Sequence, residues 1–163
     1  MFYMLKFIYT VFVGVLLATF IGLGIDTVYP APEFPGYSET SYRPNATEVE
    51  QKKYEQEQKT YQRKNEQYQK DSKVYNRNVS MIALSAAVLI LAVGLLFSKH
   101  LLVIADGAMI GGIFTLLYSI IRGFQADDAQ FRFVLVTVGL IIALVLGYLK
   151  FIRPDGKRKQ PLV

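Results

Sequence analysis

The chain has 163 residues, 52% of them hydrophobic, and a net charge of +5. There is no cysteine and one histidine, His100, which excludes disulfides, thiolate chemistry, cysteine-based metal centres and any multi-histidine site. Mean hydropathy is +0.28 in spite of a strongly charged middle, because the apolar residues fall in four blocks, 5–25, 79–97, 101–121 and 133–149. Each block is close to the ~20 residues that cross ~30 Å of hydrocarbon, and each is apolar all round rather than on one face. The expectation is an all-α protein of the membrane, with four transmembrane helices forming a bundle.

The first span, residues 1–25, carries Lys6 ahead of its apolar run. That run exceeds the 7–15 residues of a signal-peptide core, and no A-x-A site follows it, so it reads as a retained anchor. Gly14, Ala18 and Gly22 recur every fourth residue, forming a small-residue face on which another helix can pack closely.

Residues 26–78 are polar and carry nine basic and nine acidic side chains. They divide in two. Residues 26–45 concentrate proline and aromatics (Tyr29, Pro30, Pro32, Phe34, Pro35, Tyr37, Tyr42, Pro44), a density that blocks helix and favours an extended, polyproline-II course. From residue 46 neither Pro nor Gly occurs before Gly94. Asn45 with Glu48, or Thr47 with Glu50, offers an N-cap. One helix is therefore expected to run from a stalk, 46–78, into the second span, 79–97. The stalk would project ~50 Å at ~1.5 Å per residue.

Tyr54, Tyr61, Tyr68 and Tyr75 recur every seven residues, and Ile82, Leu89 and Leu96 continue that interval. The partner positions, Gln58, Asn65 and Ser72, are polar, so the seam is half of what a coiled coil uses. A solvated helix decorated by tyrosines, a paired homotypic stalk, and docking of the Pro-rich segment onto the stripe are the three alternatives. The third fits best. About twenty residues of polyproline II cover ~60 Å, enough to climb the stalk, and a heptad rise of ~10.5 Å is near the ~9.3 Å polyproline-II turn. Pro32 and Pro35 are then expected against Tyr61, Tyr68 and Tyr75. The tripeptides Asn45-Ala-Thr47 and Asn78-Val-Ser80 match a glycosylation sequon.

The third span, 101–121, holds Asp106, the sole formal charge well inside an apolar block. Intramembrane acids often mark ion or proton pathways; a structural ion pair with Lys6, Lys99 or His100 is the plainer expectation. Gly107 with Gly111, and Ala108 with Gly112, give further four-residue ladders. Asp127 with Gln130 resembles a capping box opening the fourth helix, 131–150, where Gly139, Ala143 and Gly147 repeat the spacing of four. The ladders of the first and last spans are expected to supply close contacts in a compact bundle. Tyr3, Tyr9, Tyr29, Tyr118 and Tyr148 lie near span ends, as an interfacial belt would.

The tail, 151–163, is basic. Lys6 before the first span, Asp127 and Asp128 before the last, and this tail together argue for cytoplasmic termini in a multi-pass protein of the cell membrane. Arg63, Lys64, Lys70, Lys73 and Arg77 oppose that orientation. The tail reads as a topology signal and headgroup anchor rather than a nucleic-acid patch.

The stretch Ile104-Ala-Asp-Gly-Ala-Met-Ile-Gly-Gly-Ile-Phe resembles that of uncharacterised four-span membrane proteins of small-genome bacteria, over about the last half of the chain. The order Tyr29-Pro-Ala-Pro, Pro35-Gly-Tyr37, Asn45-Ala-Thr and a Tyr-bearing helix resembles the pancreatic-polypeptide hairpin in pattern, which implies a packing solution and no hormone-like function. Claudins and tetraspanins, with their loop Trp or Cys residues, are excluded by composition. No nucleotide loop, zinc motif or nucleophile elbow is present, and no enzyme, cofactor or metal is expected. The expected function is a scaffold or complex subunit whose partners are the bilayer and a protein or a second copy; the alternative is a small transporter or channel subunit using Asp106.

Overall fold

The computed structural model describes residues 2–36, 47–98 and 102–152. These form α1 (Phe2–Val28), α2 (Glu48–Phe97), α3 (Leu102–Phe124) and α4 (Ala129–Gly147), and a π-helical turn, Tyr148–Ile152, ends the last helix. The described residues contain no strand. All four helices are long and apolar enough to cross a membrane.

Helix α3 is the hub. It packs most extensively on α2, then on α1, and more lightly on α4, whereas α1 and α2 touch little. The cause is the distribution of small residues. Gly107 and Gly111 on α3 meet α1, while Gly112 on α3 and Gly94 on α2 open the α2–α3 seam. A Cβ on Gly112 would come within 2.5 Å of Leu91 Cγ, and one on Gly94 within 2.8 Å of Met109 Cγ. Absent side chains let the backbones close. Within that seam Ser80 and Ser119, both fully buried, exchange hydrogen bonds: each Oγ donates to the other's main-chain oxygen at 2.8 Å.

Helix α2 is continuous over 50 residues. Thr47 caps it, its N–H and hydroxyl both donating to Glu50 Oε2 at 2.8 and 2.9 Å; the Asn45 alternative falls outside the described residues. No residue from Glu48 to Val74 is buried. From Tyr75 onward the buried line is Tyr75, Val79, Ala83, Ala87, Leu91 and Gly94. This is not the heptad line. Ile82, Leu89 and Leu96 are 46%, 67% and 75% exposed, swinging further outward at each repeat. A strict seven-residue interval drifts by about 20° per heptad on a straight α-helix, so the tyrosine register leaves the core soon after Tyr75.

The start of α4 corrects a second expectation. Asp127 adopts φ 55°, a left-handed conformation that Asp tolerates better than most residues. The cap is Asp128, in extended backbone, whose side chain accepts from Gln130 N and Phe131 N. The capping box therefore does not form at Asp127, whose carboxylate is engaged elsewhere.

Candidate functional site at the base of the long helix

Where α1 ends, α3 ends and α2 emerges from the packed region, a polar and aromatic cluster forms. The Tyr29 and Tyr75 rings stack at 5.3 Å with 14° between their planes. The Tyr75 hydroxyl donates to Asp26 Oδ1 at 3.4 Å, and Asn78 Nδ2 donates to the Tyr29 oxygen at 3.1 Å. From the last turn of α3, Arg122 Nε donates to the Tyr118 oxygen and Nη1 to Asn76 Oδ1, both at 3.1 Å. Its guanidinium carbon lies 5.8 Å from the Tyr75 ring centre and 5.4 Å from that of Tyr118, a cation–π arrangement. Burial pushes the Tyr75 hydroxyl above the usual tyrosine pKa, the Arg122 charge opposing and Asp26 adding to the rise.

Beside this cluster lies a cleft of about 330 Å³, walled by Pro32 on one side and by Tyr68, Lys73 and Arg122 on the other. The Pro-rich segment forms the near wall. Phe34 meets Tyr68 edge-to-face at 5.3 Å, Pro35 is half-buried, and residues 30–36 are neither helix nor strand. Two successive stripe tyrosines, Tyr75 and Tyr68, are thus met by Tyr29 and Phe34. The helix rises ~10.5 Å between them, whereas five residues of straight polyproline II would cover ~15 Å; the segment climbs at a slant. Tyr54 and Tyr61 are half-buried further up α2, and Tyr42 and Pro44 lie outside the described residues.

A second set of charges ties the foot of α2 to the α3–α4 turn. Asp127 pairs with Lys73 at 2.7 Å and with Arg132 at 3.2 Å. The Lys73 hydrogen bond and charge, then Arg132, hold the Asp127 carboxyl below the usual aspartate pKa. This engagement draws Asp127 away from capping α4.

At the opposite end of the bundle Asp106 Oδ1 accepts from Lys150 Nζ at 2.9 Å. Its partner is therefore Lys150 rather than Lys6; Lys99 and His100 fall outside the described residues. The correction is topological: the end of α4 returns to the end of the bundle where α3 begins. Both side chains retain access to solvent, Asp106 at 44% and Lys150 at 29%.

The packing ladders are used unevenly. A Cβ on Gly14 would lie 2.6 Å from Ile110 Cγ2, one on Gly107 2.9 Å from Val13 Cγ1, and one on Gly111 2.9 Å from Leu17 Cδ2. These three make the α1–α3 seam. Ala18 is half-buried, and a Cβ on Gly22 would meet no described atom within 4 Å. On α4 Gly139 faces Ile120 at 3.4 Å, Ala143 is exposed, and Gly147 has nothing within 4 Å. The last span's ladder thus meets α3 only at its first rung: α4 packs on α3 through Leu135 and Gly139, and its end returns to α3 through Lys150 and Asp106.

Two of the five tyrosines expected in an interfacial belt, Tyr29 and Tyr118, take part in the cluster around Tyr75 and Arg122. The sequon at Asn78 is likewise committed to structure: Asn78 holds Tyr29, and Ser80 is sealed against Ser119. Arg122, Asn76 and Ser80 were not singled out as site residues by sequence reasoning. The available signal was an arginine one residue past the apolar run of α3, opposite an amide at the foot of a long helix. Comparison of the chain with family models, with curated proteins and with solved structures finds no match.

Proposed function

We propose that the chain is a non-enzymatic scaffold or complex subunit of the cell membrane, with cytoplasmic termini, that presents the polar part of α2 outside the membrane as a helical stalk. The observation that carries this reading is the continuity of α2: one helix whose first half has no buried residue and whose second half is wedged against α3. A helix so long is not stabilised by local propensity alone. Its foot is braced on three sides, by the Tyr29 stack, the Arg122–Asn76 hydrogen bond and the Lys73–Asp127 pair. Bracing fixes the direction in which the exposed half points, which is what a presenting element requires. The occupant of the stalk is a protein partner or a second copy of this chain.

The transport alternative, resting on Asp106, is weaker because that carboxylate is neutralised by Lys150 near one end of the bundle, and transport usually uses several convergent polar groups. The two readings separate in one pair of experiments. Photo-crosslinking residues placed at Gln62 and Lys70, both exposed, should give a discrete adduct in native membranes. Reconstituted Asp106→Asn protein should show the same ion flux as wild type. Absence of any adduct together with loss of a wild-type flux in Asp106→Asn would reverse the assignment.

A further inference from the structure

We propose that the cleft at the foot of α2 binds a phosphate-type anion, supplied either by the headgroup of an anionic phospholipid or as free phosphate, with Arg122 as the principal ligand and Lys73 as the second cation. This goes beyond the scaffold reading and does not depend on it.

Arg122 is built to receive an anion. Its guanidinium is fixed by two hydrogen bonds, and both acceptors, the Tyr118 hydroxyl and the Asn76 amide oxygen, are neutral. Among the described residues the carboxylates within 4.0 Å of a cation serve Lys73, Arg132 and Lys150, and none serves Arg122. Two of five N–H donors are used, so the rest of a pre-oriented fork remains for a planar or tetrahedral oxyanion. The main-chain oxygens of Arg122 and Gly123 at the end of α3 are taken by Gln125 N and Ala126 N, not by the guanidinium.

The lining agrees in chemistry. Besides the two cations it contains the neutral donors Gln69, Ser72 and Gln125, and no Asp or Glu. Two carboxylates close to the lining residues are engaged, Asp26 by the Tyr75 hydroxyl and Asp127 by Lys73 and Arg132. The Lys73–Asp127 pair is half exposed on both sides, and an ammonium carries three N–H donors, so Lys73 has donors left for an incoming anion while it keeps Asp127. About 330 Å³ is at the lower end of small-ligand clefts, roughly 300–1,000 Å³, and larger than a bare phosphate needs. Arg122 also follows directly on the apolar run of α3, at the depth where a headgroup phosphate would lie if α3 crosses a bilayer.

The test uses the full chain in uncharged detergent at fixed ionic strength. Thermal stability is titrated with short-chain phosphatidylglycerol, with short-chain phosphatidylcholine and with inorganic phosphate. The expected result is saturable stabilisation by phosphatidylglycerol or by phosphate. Apparent affinity should fall about tenfold or more in Arg122→Gln, the loss of one charge-assisted contact, and by a similar factor in Gln125→Glu, while Arg63→Gln, on the exposed stalk, binds as wild type. Gln125 is exposed, so Gln125→Glu places a repelling charge in the cleft without a packing change and decides the matter if Arg122→Gln does not fold. Saturation by phosphatidylglycerol alone identifies the lipid as the source, and saturation by phosphate alone identifies the free ion; either supports the site. No saturable response to either anion, equal affinity in wild type and Gln125→Glu, or equal response to phosphatidylcholine would overturn it.

Discussion

Gly14 and Gly22 stand on the same four-residue ladder of α1, yet the structure assigns them opposite responses to the same substitution. In Gly14→Ala the new methyl meets Ile110 Cγ2 at 2.6 Å and the backbone nitrogen of Gly111 at 3.1 Å. The side-chain clash can relax by a rotamer shift, but the backbone contact can relax only if α1 and α3 separate. Overpacking of this kind costs about 1–3 kcal/mol. In Gly22→Ala the methyl enters open space. Replacing Gly by Ala in a helix interior is favourable by up to about 1 kcal/mol, and that term is common to both variants, so it cancels in their difference. Gly14→Ala should therefore be less stable than Gly22→Ala by about 1–3 kcal/mol, or roughly 5- to 150-fold in the folded-to-unfolded ratio. Reversible unfolding in mixed micelles, followed by far-ultraviolet circular dichroism, reads that difference directly. Equal stability of the two variants would refute the α1–α3 seam described here.

Two further outcomes follow from the interior and from the turn. A double-mutant cycle of Ser80→Ala and Ser119→Ala should give a coupling of about 0.6–1.7 kcal/mol, the range of interhelical hydrogen bonds in membranes, and additive losses would show that the exchanged bonds do not form. Asp127 has a lowered pKa in the folded state, so its contribution is complete above its unfolded value of 3.8 and is lost as pH falls through the folded value. Asp127→Asn should lower stability slightly at neutral pH, converge on wild type at low pH, and so flatten the acid limb below about pH 4; an acid limb identical to wild type would contradict the Lys73–Asp127 pair.

The four helices are legible because each apolar block is long enough to cross hydrocarbon, and Thr47 with Glu50 marks the start of α2 because the capping pair needs only local chemistry. What is not legible depends on three-dimensional placement. The heptad of tyrosines suggests one continuous face, but helical drift carries Ile82, Leu89 and Leu96 outward, and burial passes to Val79, Ala83, Ala87 and Leu91. The ladders name small faces without saying which helix fills them: Gly14 finds α3, while a Cβ on Gly22 or Gly147 would meet no described atom within 4 Å and Ala143 is exposed. Asp127 with Gln130 is the capping pair the sequence offers, and the left-handed backbone at Asp127, with its ion pair to Lys73, leaves the cap to Asp128. The partner of Asp106 is distant in the chain, so proximity to Lys99 and His100 misleads. The foot of the tyrosine stripe is met by Tyr29 and Phe34, five residues apart, and the three-residue polyproline-II interval does not give that spacing. Nor is the cleft legible, since it needs Arg122 brought beside Asn76 by the α2–α3 seam.

The proposed stalk requires α2 to be one straight helix whose polar half stands in water. Spin labels at Gln51 and Arg77, both exposed, in reconstituted protein test it most directly, by a pulsed dipolar distance together with accessibility to an aqueous relaxation agent. A straight helix places the two sites ~39 Å apart at ~1.5 Å per residue. The account predicts a single narrow distribution at that separation with both labels accessible from water, while a label at Leu89 is accessible to oxygen instead. A broad or short distribution, or a Gln51 label shielded from the aqueous agent, would contradict it.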